Sequence, residues 1–126
     1  MSQNPKWPDD HAHATYAYLT TVGRASGKPH RIEIWFAAEG GRVYLLSGGR
    51  DRSDWVRNLL ANPVVILEIG DEKRTGVAHI LDAGTPSDQR ARTLLVEKYQ
   101  KANELLEWGR NSLGVVIQFA TNQSVG

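Results

Sequence analysis

His30-Arg-Ile-Glu-Ile-Trp-Phe-Ala-Ala-Glu-Gly-Gly-Arg-Val-Tyr-Leu-Leu-Ser47 is the stretch on which the fold turns. Its first half alternates. Ile32, Ile34 and Phe36 face one way and Arg31, Glu33 and Trp35 the other, which predicts a strand over 30–38. Glu39-Gly-Gly41 is a hairpin signal, because two glycines accept the positive φ of a tight reversal. Residues 42–47 return as the second strand. Outward from this hairpin, Thr15–Val22 and the aliphatic run beginning at Val64 read as further strands, as do Thr75–Asp82 and Leu113–Ala120. Ser53 caps a short helix through about Ala61, with Asp54 in its first turn, that Asn62-Pro63 stops, and Thr85-Pro-Ser-Asp88 opens a second helix reaching about Ala102. Ala91, Leu94, Leu95 and Tyr99 share one face of that helix. Asn103–Gly109 reads as a short helical piece. The expected architecture is mainly β (α+β): six antiparallel strands closing into a small barrel, with two or three short helices.

Length and composition narrow the function. The 126 residues suit one domain, 13–126, preceded by an arm or leader over 1–12. The chain has no cysteine, which excludes disulfide scaffolds, thiolate metal sites and cysteine nucleophiles. Val64–Leu67 is the longest aliphatic run, far short of a membrane span, and Met1–Asp10 lacks the apolar core of a secretory signal. The expectation is a soluble cytoplasmic domain. Net charge is +1, but residues 23–58 carry seven basic and four acidic side chains and stand at +3. That local excess suits a small anionic ligand better than a nucleic acid.

Several familiar chemistries fail on spacing. Gly23–Lys28 is not a P-loop, since three residues separate its glycines and proline follows the lysine. No G-x-S-x-G elbow is present. His11 and His13 have no acid at ligand spacing, so no metal site is expected. Ser47-Gly-Gly-Arg-Asp-Arg-Ser53 is more informative, because it joins a strand to a helix N-terminus. Gly48 and Gly49 permit close backbone approach, the helix end favours an anion, and Arg50 and Arg52 add forked donors. Trp55 and Asn58, three apart, share a helix face, while Val56, Leu59 and Leu60 serve the core. A second basic segment holds Arg24, Ser26, Lys28 and Arg31, and adjacent hairpins would bring both to one groove.

Thr21-Val-Gly-Arg-Ala-Ser-Gly-Lys-Pro29, then Ser47-Gly-Gly49, then Trp55-Val-Arg-Asn-Leu-Leu-Ala-Asn-Pro63 closely resemble the deazaflavin-dependent nitroreductase family, within the flavin-binding split β-barrel superfamily. The resemblance runs from about Tyr16 to Phe119. It implies a six-stranded split barrel that holds coenzyme F420 in a groove, with the phosphate and glutamyl tail on the basic turn and loop. It also implies cofactor contacts from Trp55 and Asn58, a Ser47 near the reactive ring, and a substrate cover from the segment matching Tyr99–Trp108. Ala102 and Leu105 stand where relatives carry aromatics, which implies a different substrate pocket. Ala25, His30 and the shortened second loop are further departures, and they keep FMN as the alternative cofactor.

The reading that follows is a reductase passing a hydride from reduced coenzyme F420 to an electron-poor small molecule: a quinone, an enone or a nitro compound. Tyr99, Ser47 or solvent delivers the proton. The alternatives are an FMN-dependent oxidoreductase of the same fold and a barrel that binds a cofactor, lipid or haem-like ligand without turnover. A homodimer is the expected assembly if Trp7 or Trp35 lies at an interface. Both are equally placed to cover the chain's own core.

Overall fold

The computed structural model describes residues 6–99 and 111–120. The expected helical piece at 103–109, with Ala102, Leu105 and Trp108, lies outside them, as do the first five residues and the tail from 121. The strands are β1 (Ala17–Val22), β2 (Pro29–Ile34), β3 (Ala37–Glu39), β4 (Arg42–Ser47), β5 (Val64–Ile69), β6 (Glu72–Ile80) and β7 (Leu113–Phe119). The helices are α1 (Asp54–Ala61) and α2 (Pro86–Lys98). All the strands belong to one antiparallel sheet of order β2-β1-β5-β6-β7-β4-β3. Its two edges, β2 and β3, are consecutive in the chain, so the sheet curls until the edges are joined covalently. That is a split barrel with seven strands rather than six.

The extra strand comes from a corner. The strand expected over 30–38 breaks at Trp35–Phe36. Its first half pairs with β1 and its second with β4. Alternation survives the corner, since Phe36 is fully buried inside the barrel, so periodicity alone does not reveal it. The corner removes Phe36 from both ladders, and its backbone groups must bond elsewhere. They bond to the C-terminal end of α2. Phe36 N–H donates to the Tyr99 hydroxyl (3.1 Å), and Lys98 Nζ donates to Phe36 O (2.9 Å) while lying 3.7 Å over the Phe36 ring. Burial pushes the Lys98 ammonium down to about 8.

Leu19, Val43, Leu45, Val65, Leu67, Val115 and Ile117 fill the barrel with Phe36 and Leu59. A second cluster (Tyr44, Leu46, Val116, Ala91, Leu95, Tyr99) packs α2 on the outer face of β4 and β7. Strand β4 is therefore covered on both faces, which explains its unbroken Val-Tyr-Leu-Leu run. Thr85 caps α2 as expected, its hydroxyl accepting from Asp88 N–H (3.3 Å). Leu60, expected in the core, is 59% exposed. Val56 and Leu59 are buried as expected.

The arm expected over 1–12 packs on the barrel where it is described. Trp7 covers the barrel interior and meets Phe119 edge-on, its ring centroid 5.5 Å away. The Asp9 carboxylate accepts from the N–H groups of Gly40 and Gly41, each at 2.8 Å, across the β3–β4 turn. His11 bonds Glu72 at 2.8 Å and lies 3.8 Å from Asp10. His11 and Arg74 together hold the Glu72 carboxyl below its ordinary range. Glu72 is the acid that local spacing around His11 does not supply, since it lies on β6. Among the described residues no helix is long and apolar enough to cross a membrane.

Candidate functional site

The turn from Gly23 to Lys28 is tight. Gly23 N–H donates to Lys28 O (2.7 Å), Gly27 N–H to Gly23 O (2.8 Å), and Lys28 N–H to the Ser26 hydroxyl (3.1 Å). Gly23 lets the turn close this tightly, because a Cβ would stand 2.6 Å from His30 Nε2 and 2.7 Å from Ser26 Oγ, and both side chains would have to move aside. The turn is latched to α1. Asn58 Oδ1 accepts from the Arg24 backbone N–H (3.2 Å) and from Arg24 Nη1 (2.8 Å), and Asn58 Nδ2 donates to Thr21 Oγ1 (3.1 Å). Arg24 Nη2 reaches Asp54 Oδ1 at 3.1 Å. Asn58 is buried, so its amide is a structural clamp that aims a half-exposed guanidinium along the first turn of α1.

The loop from Ser47 to Ser53 reaches the same helix end. Ser47 Oγ donates to Arg50 O (2.9 Å) and lies 2.8 Å from Ser53 Oγ. Ser53 occupies the cap position of α1 but makes no side-chain cap bond, contrary to expectation. Its hydroxyl faces Ser47 and so does not accept from the first N–H groups of α1, which have no side-chain acceptor among the described residues. Gly49 lets the loop close this tightly, since a Cβ there would stand 2.5 Å from Ser53 Oγ. Arg50 adopts a positive φ of 54° and donates to Asn111 O, tying the loop towards β7. Arg52 is exposed at the loop's end.

The structure therefore carries Arg24, Ser26 and Lys28 on one segment and Ser47, Gly48, Gly49, Arg50 and Arg52 on another, both reaching the first turns of α1, where Asn58 holds Arg24. Trp55, half-buried, packs against the barrel interior. Arg31 is not brought there. It faces the other side of β2, pairs with Glu68 at 2.8 Å and lies 3.8 Å over the Tyr18 ring. That pairing raises Arg31 and lowers Glu68 from their ordinary values.

Tyr99 stands apart from Ser47. It belongs to the cluster under α2, whereas Ser47 has the parity of Val43 and Leu45, which face the barrel interior. The Tyr99 hydroxyl lies 2.8 Å from Thr15 O and 3.0 Å from Phe36 O, and burial pushes the phenol up. Its ring stacks on Trp35 at 4.3 Å, nearly parallel. Tyr99→Phe is expected to lower stability by roughly 1–2 kcal/mol by orphaning the corner's backbone groups. Thermal unfolding checks this, and an unchanged Tm would return the hydroxyl to candidacy as a free proton donor.

Where β2 parts from β4, Glu33, Ile34, Trp35 and Leu46 line a cavity of about 280 Å³. Extending the β3–β4 register places Trp35 opposite Leu46, at the split itself. Periodicity identified Trp35 and Glu33 as members of one strand face but not as cavity walls. Asp54 appeared in sequence only as a first-turn acid. Thr21 and His30, paired across β1 and β2 beside the Arg24 turn, were not among the expected site residues.

A family model described as F420H(2)-dependent quinone reductase matches residues 8–119 of the chain. Solved structures share the fold. One is of an F420-H2-dependent reductase (FDR-A): 24% identity, 82% of this chain and 94% of that chain covered, TM-score 0.69. Another is described as an F420 reductase: 22% identity, 93% and 96% covered, TM-score 0.65. A third is HutZ, a heme storage protein from Vibrio cholerae: 16% identity, 89% and 86% covered, TM-score 0.73. At these identities the likeness is one of fold.

Proposed function

The chain belongs to the F420H(2)-dependent quinone reductase family and is a coenzyme F420-dependent reductase, and from that premise we propose that it passes a hydride from the reduced coenzyme to an electron-poor planar acceptor, a quinone, enone or nitro compound. The observation that carries this reading is the convergence of two basic segments on a helix N-terminus whose cap hydroxyl is turned away. That arrangement fits the cofactor's anionic tail: unclaimed helix N–H groups, a clamped Arg24, and the exposed Lys28 and Arg52. The bound cofactor supplies the hydride, and a proton completes the two-electron reduction.

The chain's own residues position and shield. Asn58 holds Arg24. Ser47 holds the loop through Ser53 and Arg50. Trp55 closes the barrel beside the helix end. Tyr99 and Lys98 hold the Phe36 corner, and the Tyr99 ring backs Trp35. Both candidate proton donors, Ser47 and Tyr99, have their hydroxyls engaged, which favours solvent as the proton source. Trp7 and Trp35 cover the chain's own core, so a homodimer would use other surface. The exposed Leu60, Val64 and Val77 are the apolar residues that favour it.

A paired titration with coenzyme F420 and FMN, followed by fluorescence at low and raised salt, tests the assignment. Tight F420 binding that weakens with salt, with FMN weaker, is the expected result, because phosphate contacts are screened. A preference for FMN would move the chain to flavin chemistry. Binding of neither would sink both.

A further inference from the structure

The arm that packs on the barrel carries side chains that the anion site does not use. Asp9–His11 form a single 3-10 turn, and the Asp9 carboxylate engages the N–H groups of Gly40 and Gly41 with both of its oxygens. The turn is thereby pinned to the barrel beside the start of β6. There His11 Nε2 lies 2.8 Å from Glu72 Oε1 and 3.8 Å from Asp10 Oδ1. The imidazole is wedged in place. The Trp7 ring meets it edge-on with centroids 5.7 Å apart, and its Cε1–Nδ1 edge lies against Gly70, where a Cβ would stand 3.6 and 3.7 Å away. Arg74 holds the other Glu72 oxygen at 3.0 Å. One nitrogen and two carboxylate oxygens therefore converge, all within 4.8 Å of one another.

A proton on Nε2 serves one of these carboxylates only. It reaches Glu72, but the Asp10 oxygen at 3.8 Å is beyond a hydrogen bond. A metal ion engages all three atoms at once. Metal bonds of about 2.1 Å place neighbouring ligand atoms about 3.0–3.5 Å apart, so shifts of about half an ångström in the two His11 separations close the set. The three side chains are also partly enclosed, at 21% exposure for His11, 35% for Asp10 and 34% for Glu72, which limits what desolvation costs on binding. The donor set selects the ion. An imidazole nitrogen suits first-row transition metals, whereas Mg²⁺ seeks oxygen ligands and keeps its waters.

We propose that Asp10, His11 and Glu72 form a binding site for a divalent transition-metal ion of the Zn²⁺ type, which staples the arm to β6. Three protein ligands leave a further position to water. Arg74 supports the site from outside by fixing the Glu72 carboxylate. The spacing of His11 and His13 predicts no metal site, because the second acid stands 61 residues away and only the packing of the arm on β6 supplies it. The site is separate from the anion-binding turn and loop and stands whatever cofactor they hold.

The test is calorimetric titration of the tag-free, chelator-treated full chain with Zn²⁺ and with Mg²⁺, in the presence and absence of coenzyme F420. The variants are His11→Gln, Glu72→Gln and, as a control on an exposed histidine of the same arm, His13→Gln. The wild type and His13→Gln are expected to bind one Zn²⁺ per chain, with Mg²⁺ far weaker. In His11→Gln and Glu72→Gln the Zn²⁺ affinity falls by more than about tenfold. Zn²⁺ at ten times its Kd raises the wild-type Tm by about 5 °C and leaves that of His11→Gln in place. It also slows hydrogen exchange at Ala12 and Ala14, whose N–H groups donate to Asp9 O and His11 O in the arm. Should Glu72→Gln fail to fold, Asp10→Asn takes its place beside His11→Gln. No stoichiometric Zn²⁺ binding, binding that His11→Gln leaves unchanged, binding that follows His13 instead, or Mg²⁺ binding as tight as Zn²⁺ overturns the proposal. Loss of coenzyme F420 binding would sink the hydride-transfer reading and leave this one standing, because the Zn²⁺ titration is read without the coenzyme.

Discussion

Asn58→Ala is expected to weaken coenzyme F420 binding ten- to a hundredfold and to lower the stability of the fold by roughly 2–3 kcal/mol. The amide is buried and makes three bonds, two from Arg24 and one to Thr21. Removing it leaves the buried Thr21 hydroxyl unpaired and frees the turn that carries Arg24. The penalty for an orphaned buried polar group is larger than the net worth of the bond itself. Arg24→Ala separates the two effects. Its pairing with Asp54, itself 85% exposed, contributes little to folding, and Asn58 Oδ1 keeps the Arg24 backbone N–H when the guanidinium is lost, so this variant loses affinity with a smaller loss of stability than Asn58→Ala. Denaturant titration and fluorescence binding read the two quantities independently. An Asn58→Ala protein that binds the coenzyme as the wild type does would show that the clamp has no part in the site.

Gly76→Val is expected to cost about 3 kcal/mol or more of folding stability, the upper end of the range for overpacked cores. Gly76 lies on the interior face of β6, opposite Phe119 on β7 and Val65 on β5. A Cβ there would stand 2.7 Å from Ile117 Cγ2, 3.0 Å from Phe119 Cδ1 and 3.0 Å from Gln118 O. The last contact is backbone, so the sheet itself would have to shift. Its neighbour on the same face is Ala78, and this pair of small residues makes room for the large side chains of β7 inside the barrel. Chemical unfolding checks the prediction. A loss under 1 kcal/mol would mean that the interior adjusts more freely than its packing implies.

Much of the fold was legible because local rules decide it. Strands β4 and β5 begin and end where Gly, Pro and Asn punctuate the chain, and the α2 start follows from Thr85, Pro86 and Asp88. The two basic segments were legible as charge and glycine patterns. Strand β6 starts three residues earlier than Thr75, because Glu72, Lys73 and Arg74 pair in register with β5 although their side chains carry no strand signature. In that case pairing with a neighbouring strand overrode local propensity.

Partner choice was not legible. Arginine is long and flexible, and which carboxylate it meets depends on which strands lie side by side. Arg31 therefore belonged to the anion site by sequence and to Glu68 by structure. Ser53 has the residue type and position of a cap, but only the approach of Ser47 turns its hydroxyl away. Tyr99 appeared as an aromatic on a helix face, and its hydroxyl meets Thr15 and Phe36 only because the chain turns a corner there. By itself the sequence determined the elements, their inward faces and the chemistry of an anion-binding turn and loop, since period, punctuation and charge are properties of neighbouring residues. The tertiary structure alone decided where one strand divides to serve both edges of the sheet, and so where the split lies. Closure of a curled sheet depends on contacts between residues far apart in the chain, which no local pattern records.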